Sequence, residues 1–519
     1  MKAYYLGAAF LALATAPAIA QDTAPVTACA GLAGVAAFDT IVSRAEDMPA
    51  ADGQPAYCLV QGVIEPRVGA GQRTYGTGFE LRMPADWSGR FLFQGGGGWD
   101  GSIRPAEGII DRSKPEDTAL ARGFAVVATD AGHSGDSATD GWFGIDMKAR
   151  EDNGYNSVRL VTERAKALLS RYYGQDPHHS YFMGCSNGGR QGMVAAVRTP
   201  MEFDGVLSGA PAFDLTPSII AWNWNTRALM DAAPTDAAGN PIVSQAFSDA
   251  ELELVTQAAL AACDADDGAE DGNIFRPADC GFDPAVLQCE GDKTDSCLSA
   301  EQVTALQKIQ AGPSDSSGEV IYTGWPLANM DGPGGMRAWM LGDATGAEPN
   351  ARGFSFSQGW MRTVGSTPPQ PDFDAMDFDI DDRDFLMENA PVFAATDPDY
   401  QAFRDNGGKI LWWHGNADPA FSVRHFLNWY QGTFQQANAG SEEFSRVFLV
   451  PGMHHCSGGA GPISFDGLTP LVEWVENGTA PDSLTASVPE GAEGTDRPLC
   501  AFPAYAQPDD AGQGFVCAE

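Results

Sequence analysis

The sequence predicts an α/β fold: a doubly wound, mostly parallel sheet interrupted by one long insertion. Three observations carry that prediction. Short apolar runs recur, each closed by a glycine or polar turn. An amphipathic helical pattern lies between two of them, and the alternation stops for a long central stretch before it resumes.

The runs are "RFLFQG" from Arg90, "FAVVATD" from Phe124, "YFMG" from Tyr181, "GVLSGAP" from Gly205, "KILWWHG" from Lys409 and "RVFLVPG" from Arg446. Strands of a parallel sheet read this way because helices cover both faces. "SVRLVTERAKALLSRYYG" sets Val158, Val161, Ala165, Leu168, Leu169 and Tyr172 at helical spacing, with Asn156 as the expected N-cap. The alternation stops near Pro211 and resumes near Ala395. The stretch between is rich in Gly, Pro, Trp and acidic residues, holds four of the ten cysteines and shows no strand series. It reads as a lid at 216–395, inserted into a core formed by 21–215 and 396–519.

The chain has 519 residues, enough for about three domains, and one large insertion accounts for that length equally well. Residues 1–20, "MKAYYLGAAFLALATAPAIA", combine a lysine, an apolar run too short to span a bilayer and a small-x-small end, the pattern of a secretion signal cleaved before Gln21. Export to the periplasm or medium is expected. An oxidising compartment makes disulfides the expected state of the cysteines at 29, 58, 185, 263, 280, 289, 297, 456, 500 and 517, none of them in a C-x-x-C pair. A net charge of −38 argues against nucleic acid and anionic membranes as partners. A monomer is expected.

"YFMGCSNGGRQG" holds a Gly-x-Ser-x-Gly frame around Ser186. In so glycine-rich a chain the pentapeptide alone is weak. Its context is stronger: it follows a short strand and opens the helical run "GRQGMVAAVR", the strand-turn-helix setting that exposes a nucleophilic serine. A serine needs a base and the base an orienting carboxylate, in the order Ser, Asp, His for an α/β hydrolase. His455 follows the strand "RVFLVPG" and Asp418 follows "KILWWHGNA". His178 and His179 precede a strand and read as surface residues, His454 is the alternative base, and His414 reads as a pocket wall. The oxyanion of an acyl-transfer intermediate needs backbone N–H donors, expected from Asn187 and from Gly98 in "GGGGWDG". Cys185 directly precedes Ser186 and Cys456 directly follows His455, so the two cysteines look like halves of one device.

Together "GCSNGGRQG", "HGNADPAFS" and "PGMHHCSGG" resemble the tannase and feruloyl esterase family, and the likeness extends over "LRMPADWSGRF", "GYNS", "FSDAELELVTQA" and "LTPLVEWVENGTAPD". The resemblance implies an α/β-hydrolase core with a lid, a triad of Ser186, Asp418 and His455, and five disulfides: Cys29–Cys58, Cys185–Cys456, Cys263–Cys280, Cys289–Cys297 and Cys500–Cys517. Within the family the chain is most similar to the branch that hydrolyses mono(2-hydroxyethyl) terephthalate, with feruloyl or galloyl esters as the alternative substrates. That likeness implies an aromatic wall of Trp339, Phe354, Ser355 and Phe421. The arginine that pairs with the substrate's free carboxylate falls at Asn350 in an ungapped match, and Arg352 is the nearest arginine. In "CDADDGAEDGNI" the aspartates at 264, 267 and 271 interleave with glycines, and hard oxygen ligands on a tight turn suit calcium, although the spacing is not that of an EF-hand. The resemblance implies a structural Ca2+ here, with backbone carbonyls from Ala269 and Asn273.

Overall fold

The computed structural model describes residues 24–34, 39–135, 139–277, 279–490, 495–511 and 514–519. Residues 1–20, the expected secretion signal, lie outside them. No helix among the described residues is long and apolar enough to cross a membrane.

The main sheet has nine strands: β1 (Thr40–Met48), β2 (Tyr57–Val68), β3 (Thr74–Pro84), β4 (Arg90–Gln94), β5 (Ala125–Thr129), β6 (His179–Cys185), β7 (Gly205–Gly209), β8 (Lys409–Gly415) and β9 (Ser445–Val450). Their spatial order is β1-β2-β3-β5-β4-β6-β7-β8-β9. The first three run antiparallel and the remaining six are mutually parallel. Those six are the six runs read from the sequence. The sequence reading missed β1 to β3; β1 is the sheet edge, β1 and β2 have mixed burial, and bulges at Val42/Arg44 and Ile64/Arg67 interrupt the alternation of these two.

Helix α1 (Ser157–Tyr173) covers one face and ends at Gly174 in the left-handed conformation. Its start corrects one expectation. Asn156 is itself helical and makes no capping bond; a π-turn at Asp152–Asn156 feeds directly into the helix, and the Asn156 side chain bonds Asp152 and Arg159 instead. Helix α2 (Asn187–Arg198) springs from the end of β6. Separate apolar clusters fill the two faces of the sheet, one around Val127, Leu169, Phe182 and Trp412, the other around Leu92, Leu207, Leu411 and Leu471.

The stretch between Pro211 and Ala395 packs around its own core, which includes Leu229, Leu306, Trp325 and Trp360 and which Trp99, Ala420 and Phe421 enter from the sheet side. Its long helices are α3 (Leu215–Ala232), α4 (Asp249–Cys263) and α5 (Ala300–Ala311). Ser248 with Glu251, and Ser299 with Gln302, form capping boxes that open α4 and α5. All five disulfides are formed with the expected pairing. Four of them close local loops of 8 to 29 residues; Cys185–Cys456 spans 271.

Candidate active site

Ligands of open α/β sheets gather at the carboxyl ends of the strands, where the loops can vary without disturbing the sheet. Ser186 follows β6, Asp418 follows β8, His455 follows β9 and Gly98 follows β4, so all four meet at that edge. Ser186 sits at φ 66° and ψ −126°, a left-handed turn that non-glycine residues adopt only when their surroundings impose it. Glycines on either side make the turn possible. A Cβ on Gly188 would lie 2.8 Å from the Gly96 carbonyl oxygen, and one on Gly184 would lie 2.6 Å from Gly188.

His455 Nε2 lies 2.8 Å from Ser186 Oγ, and its Nδ1 lies 2.8 Å from Asp418 Oδ2. The other Asp418 oxygen accepts the N–H groups of Ala420 at 2.8 Å and Phe421 at 3.1 Å. Burial opposes charge on Asp418, but the adjacent imidazole and these hydrogen bonds outweigh it and hold the carboxyl below its usual range. Cys185 and Cys456 are bonded to each other, so one covalent bridge joins the residues flanking Ser186 and His455. His454 is turned away and bonds the Asn329 carbonyl oxygen at 2.9 Å, tying this loop to the inserted stretch.

Among the described hydrogen bonds, the N–H groups of Gly98 and Asn187 have no protein acceptor. Gly98 has φ +60°. The loop carrying it is braced from beneath by buried side chains of α2. Asp100 accepts hydrogen bonds from the Asn187 amide and from Gln191 Nε2 at 2.9 Å, while Gln191 Oε1 accepts the Gly96 N–H at 3.0 Å. Arg190 donates to Asn187 Oδ1 at 2.7 Å and to the Asn153 carbonyl at 3.0 Å, and Asn153 donates to the Trp99 carbonyl at 2.9 Å. Both flanks of Gly98 are thereby pinned to the helix that follows Ser186. Burial pushes the Asp100 carboxyl up to about 6.

Trp339 and Phe421 meet the His455 ring edge-on at 5.0 and 5.3 Å. The ring stacked on Trp339 is that of Phe356, at 6.0 Å and 12°; Phe354 and Ser355 also line a groove with Thr139, Trp142 and Pro349. Trp339, Phe354, Phe356 and Phe421 are all buried in one apolar cluster beside His455. Trp222 also belongs to it, 5.4 Å from Phe421 and 5.7 Å from Trp339, with its indole N–H donated to the Ala420 carbonyl. In the sequence Trp222 reads as one more apolar residue of a helix, and nothing there marks it as a wall. The guanidinium of Arg352 lies 6.0 Å from the Trp339 ring centre. Asn350 is consumed by its own loop, accepting the N–H groups of Asp343 and Ala344 and donating to Asp343. His414 is 1% exposed and packed against Phe426.

In the acidic loop, Asp264 accepts the N–H groups of Gly272 and Asn273, and Asp267 those of Ala269 and Phe275. Asp271 Oδ1 and Asn273 Oδ1 are buried without a hydrogen-bond donor among the described residues, while Asp271 Oδ2 faces a guanidinium. Burial pushes Asp267 up to about 6. Unpartnered, desolvated oxygens of this kind suit a hard cation. Among the described residues no three acidic, His or Cys side chains are spaced to hold a metal unaided, so loop carbonyls would have to complete its shell. The sequence reading missed Arg497, which is buried between Phe275 and Phe515 and brings Nη2 to 2.7 Å from Asp271.

The family model described as tannase and feruloyl esterase matches residues 58–518. The chain is 40% identical to the mono(2-hydroxyethyl) terephthalate hydrolase of Piscinibacter sakaiensis, covering 89% of this chain and 85% of that one. It is 31% identical to a probable feruloyl esterase B-2 of Aspergillus flavus, covering 79% and 76%. The solved structure of feruloyl esterase B from Aspergillus oryzae superposes with a TM-score of 0.78 at 22% identity, over 94% of this chain and 99% of that one, and is similar in fold. The chain belongs to the tannase and feruloyl esterase family and is a carboxylic ester hydrolase with an α/β-hydrolase fold.

Proposed function

We propose that the protein is an exported serine esterase that cleaves mono(2-hydroxyethyl) terephthalate to terephthalate and ethylene glycol. The observation that carries the reading is the unbroken hydrogen-bond chain from Ser186 through His455 to Asp418, beside two N–H groups with no protein acceptor. Ser186 Oγ attacks the ester carbonyl and passes its proton to His455 Nε2, while Asp418 holds the imidazole with Nε2 facing the serine. The oxyanion accepts the N–H groups of Asn187 and Gly98. His455 returns the proton to the departing alcohol, water enters, and the acyl-enzyme is hydrolysed by the same groups in reverse order. The acid's ring would lie against Trp339, Phe356 and Phe421, within reach of Arg352 for its free carboxylate.

Residues 1–20 would direct export. A calcium ion in the acidic loop would be held by Asp264, Asp267 and Asp271 with the carbonyls of Ala269 and Asn273. It would supply charge compensation to the loop and no chemistry.

A second reading, a feruloyl or galloyl ester hydrolase, is favoured by Asn350: the position aligned with the carboxylate-pairing arginine is tied into its own turn. The deciding experiment is a panel of the terephthalate monoester, methyl ferulate and methyl gallate at equal concentration. The highest kcat/KM on the monoester is expected. A higher value on ferulate or gallate replaces this reading by the second, and no turnover of any of the three sinks both.

A further inference from the structure

A cavity of about 410 Å³ is lined in part by the bridged Cys185 and Cys456, and no described residue between Pro211 and Ala395 lines it. Its floor is apolar, built from Met183, Leu207, Trp413, Met453, Ile463 and Phe465. Two arginines, Arg104 and Arg112, share its wall. In a chain with 69 acidic and 31 basic residues, neither has a hydrogen bond or ion pair among those described. The two acidic groups on the same wall are already engaged. Glu107 is paired with Arg82 at 2.8 Å, and Asp111 accepts from Ser464 at 2.5 Å with Lys114 at 3.9 Å. Both arginines are exposed to solvent, yet the protein crowded around the Arg112 head group, and then the charge of Arg104, lower Arg112 to about 10.

Two like charges facing one cleft repel each other, and that cost falls away when an anion lies between them. A guanidinium pair is shaped to grip a carboxylate through parallel N–H bonds, and the apolar floor below has room for a ring. We propose that this cavity is a second binding site, distinct from the Trp339 wall, for an apolar acid whose carboxylate is held by Arg104 and Arg112. Free acid product and the far end of an acid-terminated oligoester share that chemistry.

The site can be read without turnover. Met183 and Met453 lie in its floor, so enzyme carrying Ser186→Ala and 13C-methyl methionine reports occupancy locally, with the two signals assigned by Met→Leu substitution. Titration with benzoate should shift both methyl signals saturably, and benzamide should not. In the Arg104→Gln/Arg112→Gln double variant the dissociation constant should rise at least tenfold, Arg→Lys at both positions should recover part of the loss, and Arg352→Gln should leave it unchanged. Absence of a benzoate shift, an equal response to benzamide, or an unchanged constant in the double variant overturns the proposal. Because this readout needs no nucleophile, its failure is separate from failure of the esterase reading. The source of the anion follows from kinetics on wild type and double variant. Benzoate inhibition of a neutral methyl ester that disappears in the variant identifies a product site. A selective rise in KM for acid-terminated oligoesters identifies a substrate subsite.

Discussion

Replacing Ser186 by alanine removes one oxygen from a turn that the surrounding glycines already hold in its left-handed shape, so the fold should survive. Turnover should fall on the order of 10⁶-fold, the loss typical of a missing nucleophile in this type of hydrolase. Circular dichroism and thermal midpoint check the first statement and ester hydrolysis the second; near-normal turnover would remove Ser186 from the mechanism. Arg352 makes a different prediction. Its head group lies 6.0 Å from the ring centre of Trp339, which itself meets His455 edge-on, and the proposed role is to pair with the free carboxylate of a terephthalate monoester. Arg352→Ala should raise KM for the monoester about tenfold, the loss of one charge-assisted hydrogen bond, and leave KM for the neutral methyl ester unchanged. Equal effects on both esters would show that it does not read the acid.

At the scale of elements, the strand-turn-helix around Ser186 works only in register with two neighbouring loops. One is the glycine loop after β4, braced through Asp100. Asp100→Ala leaves the Asn187 amide and Gln191 without their acceptor, so the Gly98 N–H should drift from the oxyanion position. The expected result is a kcat loss of up to about a hundredfold with KM nearly constant, since misplacement of about 1 Å can cost that much. Asp100→Asn, which keeps one acceptor oxygen, should recover part of it, whereas an equal fall for both variants with a lowered thermal midpoint would indicate a folding role alone. The other loop is that of His455, joined through Cys185–Cys456. Closing 271 residues contributes about 5 kcal/mol on the loop-entropy scale. Changing both cysteines to alanine should cut turnover severely even at temperatures where the protein remains folded, and full activity at such a temperature would show the bridge to be dispensable for geometry.

Across the whole molecule, the acidic loop joins the inserted stretch to the C-terminal segment, because Arg497 reaches into it from beyond the sheet. Calcium bound there should stabilise that junction, so a chelator should lower the thermal midpoint and added calcium restore it, by mass action on the folded state. Scanning fluorimetry checks this. An unchanged midpoint would leave Arg497 as the charge that compensates the loop. The net charge of −38 adds a general self-repulsion that salt screens, so the chelator comparison must be made at constant ionic strength.

The sequence by itself determined the six parallel strands, the turn at Ser186 and the chain order of Ser186, Asp418 and His455, because each is written in a short contiguous pattern. Apolar runs bounded by turns mark buried strands, and a serine between glycines after a strand marks an exposed elbow. Features that depend on how distant segments meet were legible only in the tertiary structure. That Phe356 stacks on Trp339 is a matter of helix phase, which a match of letters does not carry. His414 alternates along a strand like any pocket residue, but Phe426 from the following helix closes over it. Strands β1 and β2 hide because bulges break their period. Asp100, Arg497 and the facing pair of Arg104 and Arg112 acquire meaning from partners, or from the want of them, and burial by remote parts of the chain sets what each charge costs.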